Sequence, residues 1–380
     1  MILLEQIRTM AGRPLPELAL KARDRGQRPA AILCGFIPFE ILHAAGALPM
    51  RLRATGHSGT DLGSTYFAQT HCSLVRHAFD MAMRGRFAGF DVVLFSTGCD
   101  HSRRVFDAWR HADVPPALRI QVPVSSDSTP TARAALQVEF RRLVEALERE
   151  WAVQISDERL AAAIGLFNRQ RELLEQINFF RIAADSPLTG TDMLALHQVL
   201  SSIDVQEGND LLERLIASLP GAAAAITTGS TRLFLVSSHF EDLRRMQVIE
   251  EFGGPVVGDL MCTGSGHFHG IVDESEPPLA ALARRALCRV SCPHAADEID
   301  RRVEFIKDGV RLGRCDAVVL DRLSFCAIGA AEFFVLARRL KAAGIPVLEL
   351  EGELHGGGEG QLRTRLEAFR EQLANRDSRR

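Results

Sequence analysis

The apolar positions along the chain follow two rhythms. Short unbroken apolar runs between turn residues predict buried parallel strands, and apolar positions three and four apart predict helices. Residues 1–28 are polar with helical spacing, and Pro29 opens the run Ala30-Ala-Ile-Leu-Cys34-Gly-Phe-Ile37. A helix from Phe39 through Ala45 follows, closed by Gly46. Asp91-Val-Val-Leu-Phe-Ser96 predicts a strand that runs into Thr97-Gly98-Cys99-Asp100, where Val105, Ala108 and Trp109 take up helical spacing. Leu118-Arg-Ile-Gln-Val-Pro123 predicts the next strand. Strand, turn, helix, strand is the grammar of an α/β lobe.

A helical stretch comes next. Phe140, Leu143, Val144, Leu147 and Trp151 share one stripe of a long helix. Ser156 reads as the N-cap of another, with Asp157 and Glu158 in its first turn. Residues 185–190 break the pattern, and a further helix is predicted from Met193 to Leu219. The α/β grammar then restarts, with strands expected at Arg232–Ser237, Pro255–Asp259, Asp316–Leu320 and Pro346–Leu350. A helix over 241–252 ends at Gly253-Gly254, and a last helix covers 361–373. The expected fold class is therefore α/β: a lobe over 1–130, a helical insert over 131–222 and a second lobe over 223–380.

Composition narrows the partners. With 380 residues, two or three domains are expected at about 150 residues each. Apolar residues make up 46% and charged residues 24%, enough for a packed core. The net charge of -3 argues against broad binding to nucleic acid or to an anionic membrane. Only three apolar residues lie between Met1 and Glu5, too few for a secretory leader, and no run of about 18 apolar residues exists. A cytoplasmic protein is expected, and its eight cysteines should be reduced thiols.

Three of those thiols stand where α/β sheets place their chemistry, beyond the carboxyl ends of strands. Cys99 follows the strand ending near Ser96, and Cys326 follows the one ending near Leu320. Cys72 precedes Ser73-Leu-Val-Arg76 and is expected at a helix start, where the dipole favours a thiolate. Three thiolates suit a soft metal or an iron–sulfur cluster.

Ordered motifs extend this reading. Pro38-Phe-Glu40-Ile-Leu-His-Ala44-Ala45-Gly46, Cys72-Ser73-Leu-Val-Arg76 and Cys99-Asp100-His-Ser-Arg103-Arg104-Val-Phe-Asp107-Ala-Trp109 resemble the 2-hydroxyacyl-CoA dehydratase family, which includes benzoyl-CoA reductase subunits and double-cubane proteins. Gly258-Asp259-Leu-Met-Cys262-Thr263-Gly264, Ser324-Phe325-Cys326 and Gly360-Gln361-Leu-Arg-Thr364-Arg365-Leu-Glu-Ala368-Phe369 carry the resemblance through the second half. It implies two flavodoxin-like (Rossmann-like) parallel-sheet lobes with an oxygen-sensitive [4Fe-4S] cluster between them, on Cys72, Cys99 and Cys326. It also implies an acyl-CoA substrate, a paralogous subunit or a second copy as partner, and an ATP-dependent activator iron–sulfur protein that delivers one electron. In the dehydratases that electron makes a ketyl radical that expels the hydroxyl group and is then recycled. In the reductases an unsaturated or aromatic acyl-CoA consumes it. The β-hydrogen of a 2-hydroxyacyl-CoA is not acidic, and a ketyl acidifies that position. The alternatives are a reductase of the same family and a non-catalytic cluster-bearing scaffold.

The remaining candidates divide between chemistry and structure. Glu40 is the catalytic candidate, an acid or base near the cluster; equally it is a first-turn carboxylate facing the helix dipole. Arg76, Arg103 and Arg104 could hold CoA phosphates, but a solvated helix face is the favoured expectation. Cys262, Cys288 and Cys292 would carry a second cubane and with it a double-cubane [8Fe-9S] cofactor, although the close pair is more widely spaced than in that subgroup. A zinc site on Cys288, Cys292 and His294 lacks the usual spacing. Cys34 and Cys315 read as core residues. Gly266 stands where the family often has arginine. The Gly352–Gly360 loop is an anion cradle or a surface turn, and His267, His269 and His355 are expected as solvated loop residues.

Overall fold

Two parallel four-stranded sheets carry the chain. The computed structural model describes residues 2–57, 59–110, 112, 114–124, 129–290, 296–355 and 357–377. The first sheet and its helices run α1 (Ile2–Ala11), α2 (Leu15–Asp24), β1 (Arg28–Ile32), α3 (Phe39–Ala44), β2 (Ala47–Arg51), α4 (Asp61–Tyr66), α5 (Ser73–Met83), β3 (Val92–Ser96), α6 (Asp100–Trp109) and β4 (Ala117–Ile120). Four helices follow: α7 (Pro130–Trp151), α8 (Asp157–Arg181), α9 (Gly190–Leu200) and α10 (Val205–Ser218). The second sheet begins with β5 (Leu233–Ser237), α11 (Leu243–Phe252), β6 (Val256–Met261), α12 (Ser265–Phe268), α13 (Pro278–Cys288) and α14 (Ile299–Leu312). It closes with β7 (Ala317–Leu323), α15 (Ala327–Ala342), β8 (Val347–Gly352) and α16 (Glu359–Asp377).

The strand orders are β2-β1-β3-β4 and β6-β5-β7-β8, all parallel. Each matches the first four places of the flavodoxin-like order. The central strands are the apolar runs read from the sequence, because a parallel strand is covered on both faces. Strand β2 was not expected. Pro49 interrupts its pattern, and proline is tolerated there because β2 lies at the sheet edge. The helix expected over 193–219 is two helices, since the Asp204 carboxylate accepts from the Gln206 N–H and starts α10 afresh. Ser156 caps α8 as expected.

The middle helices do not form a separate body. Phe140, Leu143 and Phe167 share one core with Ile32 and Leu94 of the first sheet and Leu282 of α13. Helix α1 joins α9 and α10 through Ile7, Leu196 and Leu212. Arg181, at the end of α8, donates to the Asp259 carboxylate at 2.6 Å and to the Val256 carbonyl, both on β6. No described helix is long and apolar enough to cross a membrane.

The buried Arg181–Asp259 pair is the polar tie between α8 and the second sheet. Arg181→Met should strand Asp259 as an uncompensated buried charge and lower stability by about 3–5 kcal/mol. Urea denaturation against the parent chain measures this, and a change below about 1 kcal/mol would show the tie to be unimportant.

Candidate functional site

All three predicted cysteines are helix N-caps. Cys72 caps α5, Cys99 caps α6 and Cys326 caps α15. Cys99 stands three residues beyond β3, and Cys326 stands three beyond β7, so each lies at the carboxyl edge of its sheet. Cys72 is placed by packing instead: α4 lies against α5 so closely that a Cβ on Gly63 would come 2.2 Å from the Arg76 carbonyl. The three thiols are near enough for their charges to act on one another across the two sheets. Each also faces backbone amides of its own helix: Val75 and Leu74 for Cys72, Ser102 at 3.3 Å for Cys99, and Gly329 for Cys326.

The helix dipole does not win at Cys72. Burial pushes its thiol up to about 12, and the charges of Cys99 and Cys326 add to this, against the amides that lower it. Burial likewise pushes Cys99 up to about 12 and raises Cys326. Such thiols need a cation to become thiolates. Among the described residues no three His, Cys, Asp or Glu side chains converge tightly enough for a single ion. A cluster that takes one thiolate per iron does not require them to meet at a point. The donor set of three cysteines with N–H groups aimed at sulfur therefore fits an iron–sulfur group.

An open cleft of about 790 Å³ lies beside Phe325, the residue before Cys326, a size that suits a small-molecule site. Arg76, His57, His77, His355, Glu353 and Phe325 line it. Phe325, next to Cys326, holds a left-handed φ of 62° that an aromatic residue rarely adopts, and it is 47% exposed. Arg76 is not on a solvated face: it is buried and donates to Glu353 at 2.9 Å and to Thr60 and the His71 carbonyl. Arg103 stays at the surface on Asp100, and Arg104 is exposed.

Behind the cleft runs a buried polar chain that sequence reading missed. The Glu241 carboxylate bridges His239 at 2.6 Å and His355 at 2.8 Å, and accepts from the Ala54 N–H at 2.7 Å across the lobes. Burial would raise Glu241, but the two imidazoles outweigh it and hold the carboxyl far below its ordinary range. Burial would lower His239, but Cys262 and Glu241 raise it to about 9. Cys262 receives Arg51 at 3.5 Å, and the His239 hydrogen bond with the Arg51 charge holds its thiol below the ordinary value despite burial. The signal for this chain was weak: His239 and Glu241 alternate just after a strand, as Cys262 follows another.

Cys288 lines a further cleft with Arg284 and Asp273. Cys292 and His294 lie outside the described residues, as does Gly356 of the glycine-rich loop. Cys34 is half-buried near Cys99, and Cys315 packs beside Arg232. Glu40 is 1% exposed in the first turn of α3 and pairs with Arg171. Burial would raise its pKa, yet Arg171 and Arg285 keep it below the ordinary value, so it is an ionised carboxylate. His267 is half-buried and His355 is tied to Glu241; His269 alone of the three is exposed.

Comparison with known proteins gives one family. Residues 34–373 match the 2-hydroxyglutaryl-CoA dehydratase D-component. The chain is 22% identical to the lactoyl-CoA dehydratase subunit beta of Anaerotignum propionicum, covering 98% of each. It is 23% identical to a benzoyl-CoA reductase subunit of Thauera aromatica over 93% of this chain and 92% of that one. The (R)-2-hydroxyglutaryl-CoA dehydratase subunit beta of Acidaminococcus fermentans is 22% identical over 98% of this chain and 99% of its own.

Glu241→Gln should weaken the joint between the sheets in a pH-dependent way. His239 has its pKa raised on folding, so its contribution is full below about pH 6.5 and is lost as the pH rises through about 9. The stability gap between parent and variant is expected to be widest near about pH 6 and to narrow by about pH 10. Urea denaturation at both ends checks this, and an equal gap at the two pH values would contradict it.

Proposed function

Since the chain belongs to the 2-hydroxyglutaryl-CoA dehydratase D-component family, we propose that it is the iron–sulfur subunit of a 2-hydroxyacyl-CoA dehydratase and works beside a partner subunit. The observation that carries this reading is that Cys72, Cys99 and Cys326 are all helix N-caps, the last two at the carboxyl edges of the two sheets, with charges near enough to act on one another. These three thiolates would hold a [4Fe-4S] cluster, which when bound supplies one-electron chemistry and an iron open to an oxygen ligand. The amides of Ser102 and Gly329 stabilise the sulfur charge and tune that site.

The other residues bind and exclude. The cleft beside Cys326 admits the thioester end of an acyl-CoA, and Arg76, fixed by Glu353, presents fixed positive charge there. His355 is held by Glu241 and faces His77 with ring centroids 5.5 Å apart. That pair can take up or return a proton at the imidazole edge as the hydroxyl group departs. Glu40, ionised and paired with Arg171, fixes that guanidinium rather than donating a proton. An ATP-dependent activator would supply the electron. The reductase relative from Thauera aromatica supports the runner-up, a reduction of an unsaturated acyl-CoA through the same site.

Anaerobic purification should yield about four irons per chain, with a cluster signal in electron paramagnetic resonance. Cys99→Ser should lose most of that iron, while Cys315→Ser keeps it. Iron that stays on Cys99→Ser would remove the assignment, and about eight irons per parent chain would point to a double cubane.

A further inference from the structure

The buried chain behind the cleft holds one thiol that the proposed reaction leaves unused. Cys262 directly follows β6, and its N–H donates to the Ser238 carbonyl just beyond β5 at 3.1 Å. The next residue repeats the strap. The Thr263 hydroxyl donates to the Phe240 carbonyl at 2.6 Å and accepts the Phe240 N–H at 3.0 Å. Since β5 and β6 are paired neighbours, their exit turns are locked together, with Cys262 beside His239. The Ser238 hydroxyl lies 3.8 Å from the Cys326 sulfur, so this corner adjoins Cys326.

Three groups around the Cys262 sulfur divide the work of activating it. His239 gives Nε2 to the Glu241 carboxylate at 2.6 Å. Its Nδ1 is buried, has no nitrogen or oxygen partner among the described residues, and is left for the thiol that is hydrogen-bonded to this imidazole. A nucleophile, a base and a carboxylate that orients the base are the arrangement that activates a thiol. The charge state agrees with the geometry. Burial raises the thiols of Cys72, Cys99, Cys315 and Cys326. Cys262 is instead held below the ordinary value, because His239 and Arg51 outweigh the desolvation that would raise it. Cys262 is half-buried rather than sealed. Arg51 is 6% exposed, and its Nη2 donates to the Cys262 sulfur at 3.5 Å. Its Nε and Nη1 are buried with no partner among the described residues. Such donors are costly to leave unpaired. Beside a nucleophile they are placed to receive a carbonyl oxygen as it gains negative charge.

We propose that Cys262 is a nucleophile for thioesters, which takes an acyl group from a coenzyme A ester onto its own sulfur with Arg51 as the oxyanion donor. The Cys262 thiolate attacks the thioester carbonyl carbon, and the oxygen that gains the charge meets the spare donors of Arg51. The carbon–sulfur bond to coenzyme A then breaks, and the departing thiolate takes the proton of the His239 imidazolium. One thioester is exchanged for another, so nothing is oxidised or reduced. Glu241 is a positioning residue that fixes the imidazole and balances its charge. That the thioester is a coenzyme A ester rests on the acyl-CoA reading; the nucleophile and its partners do not.

The test is mass spectrometry of the anaerobically purified full chain after incubation with butyryl-CoA, which has no hydroxyl group to lose. A single butyryl group per chain is expected, on the peptide that carries Cys262. Cys262→Ser should lose the label and Cys315→Ser should keep it. Arg51→Met and His239→Gln should each slow labelling about a hundredfold while circular dichroism stays that of the parent. If those two variants fail to fold, competition among the parent's own thiols decides. At about pH 7 iodoacetamide should alkylate Cys262 at least about tenfold faster than Cys34 or Cys315. No butyryl group on Cys262, unchanged labelling in folded Arg51→Met and His239→Gln, or Cys262 alkylated no faster than Cys315 would overturn the nucleophile. Iron content measured on the same samples reports on the cluster reading alone. Labelling of iron-poor protein would uphold this site without the cluster, and iron-loaded protein with no label would sink this site and leave the cluster reading standing.

Discussion

Two separate parallel sheets meet so that three thiols, Cys72 buried and Cys99 and Cys326 half-buried, come near enough for their charges to act on one another. A parallel sheet delivers every strand's carboxyl end to one edge, where the next helix begins. Cys99 and Cys326 exploit this directly, each three residues beyond a strand and capping the following helix. Their neighbours Cys34 and Cys262 sit just beyond β1 and β6 by the same geometry. Burial that raises the thiol pKa and amides that favour the thiolate oppose each other at these sites, and burial prevails.

The joint between the sheets is polar, with Glu241 and His239 buried at its centre, which makes its partners interdependent. Glu241 holds His239, His355 and the Ala54 amide at once, tying β5's exit loop to the first sheet and to the segment after β8. Ser73, beside Cys72, accepts the Leu354 N–H at 2.8 Å, so the α5 cap is tied to that same segment. Arg76 and Glu353 add a third link one turn further along. A carboxylate so enclosed stabilises only while its imidazoles are charged, so the mutual position of the lobes is coupled to protonation.

Charge also divides the site into two environments. The open cleft beside Phe325 is lined by histidines with one fixed arginine, a setting for proton movement and a bulky ligand. A small cavity beside Gly35 is lined by Arg171, Arg285 and Arg289 with Glu40 and aromatic rings.

Apolar runs, helical stripes and caps were legible along the chain because they depend on neighbours within a few residues. Seven of the eight strands, the Ser156 cap and the helix start at Cys72 follow from such local pattern. The edge strand carrying Pro49 did not, since only pairing with β1 makes it a strand. Arg76, His267 and His355 read as surface residues and are not, because partners far along the chain cover them. The sequence by itself determined that cysteines follow buried strands. Only the tertiary structure decided which thiols face one another and where guanidiniums crowd a carboxylate, because burial and long-range charge exist only once the two sheets meet.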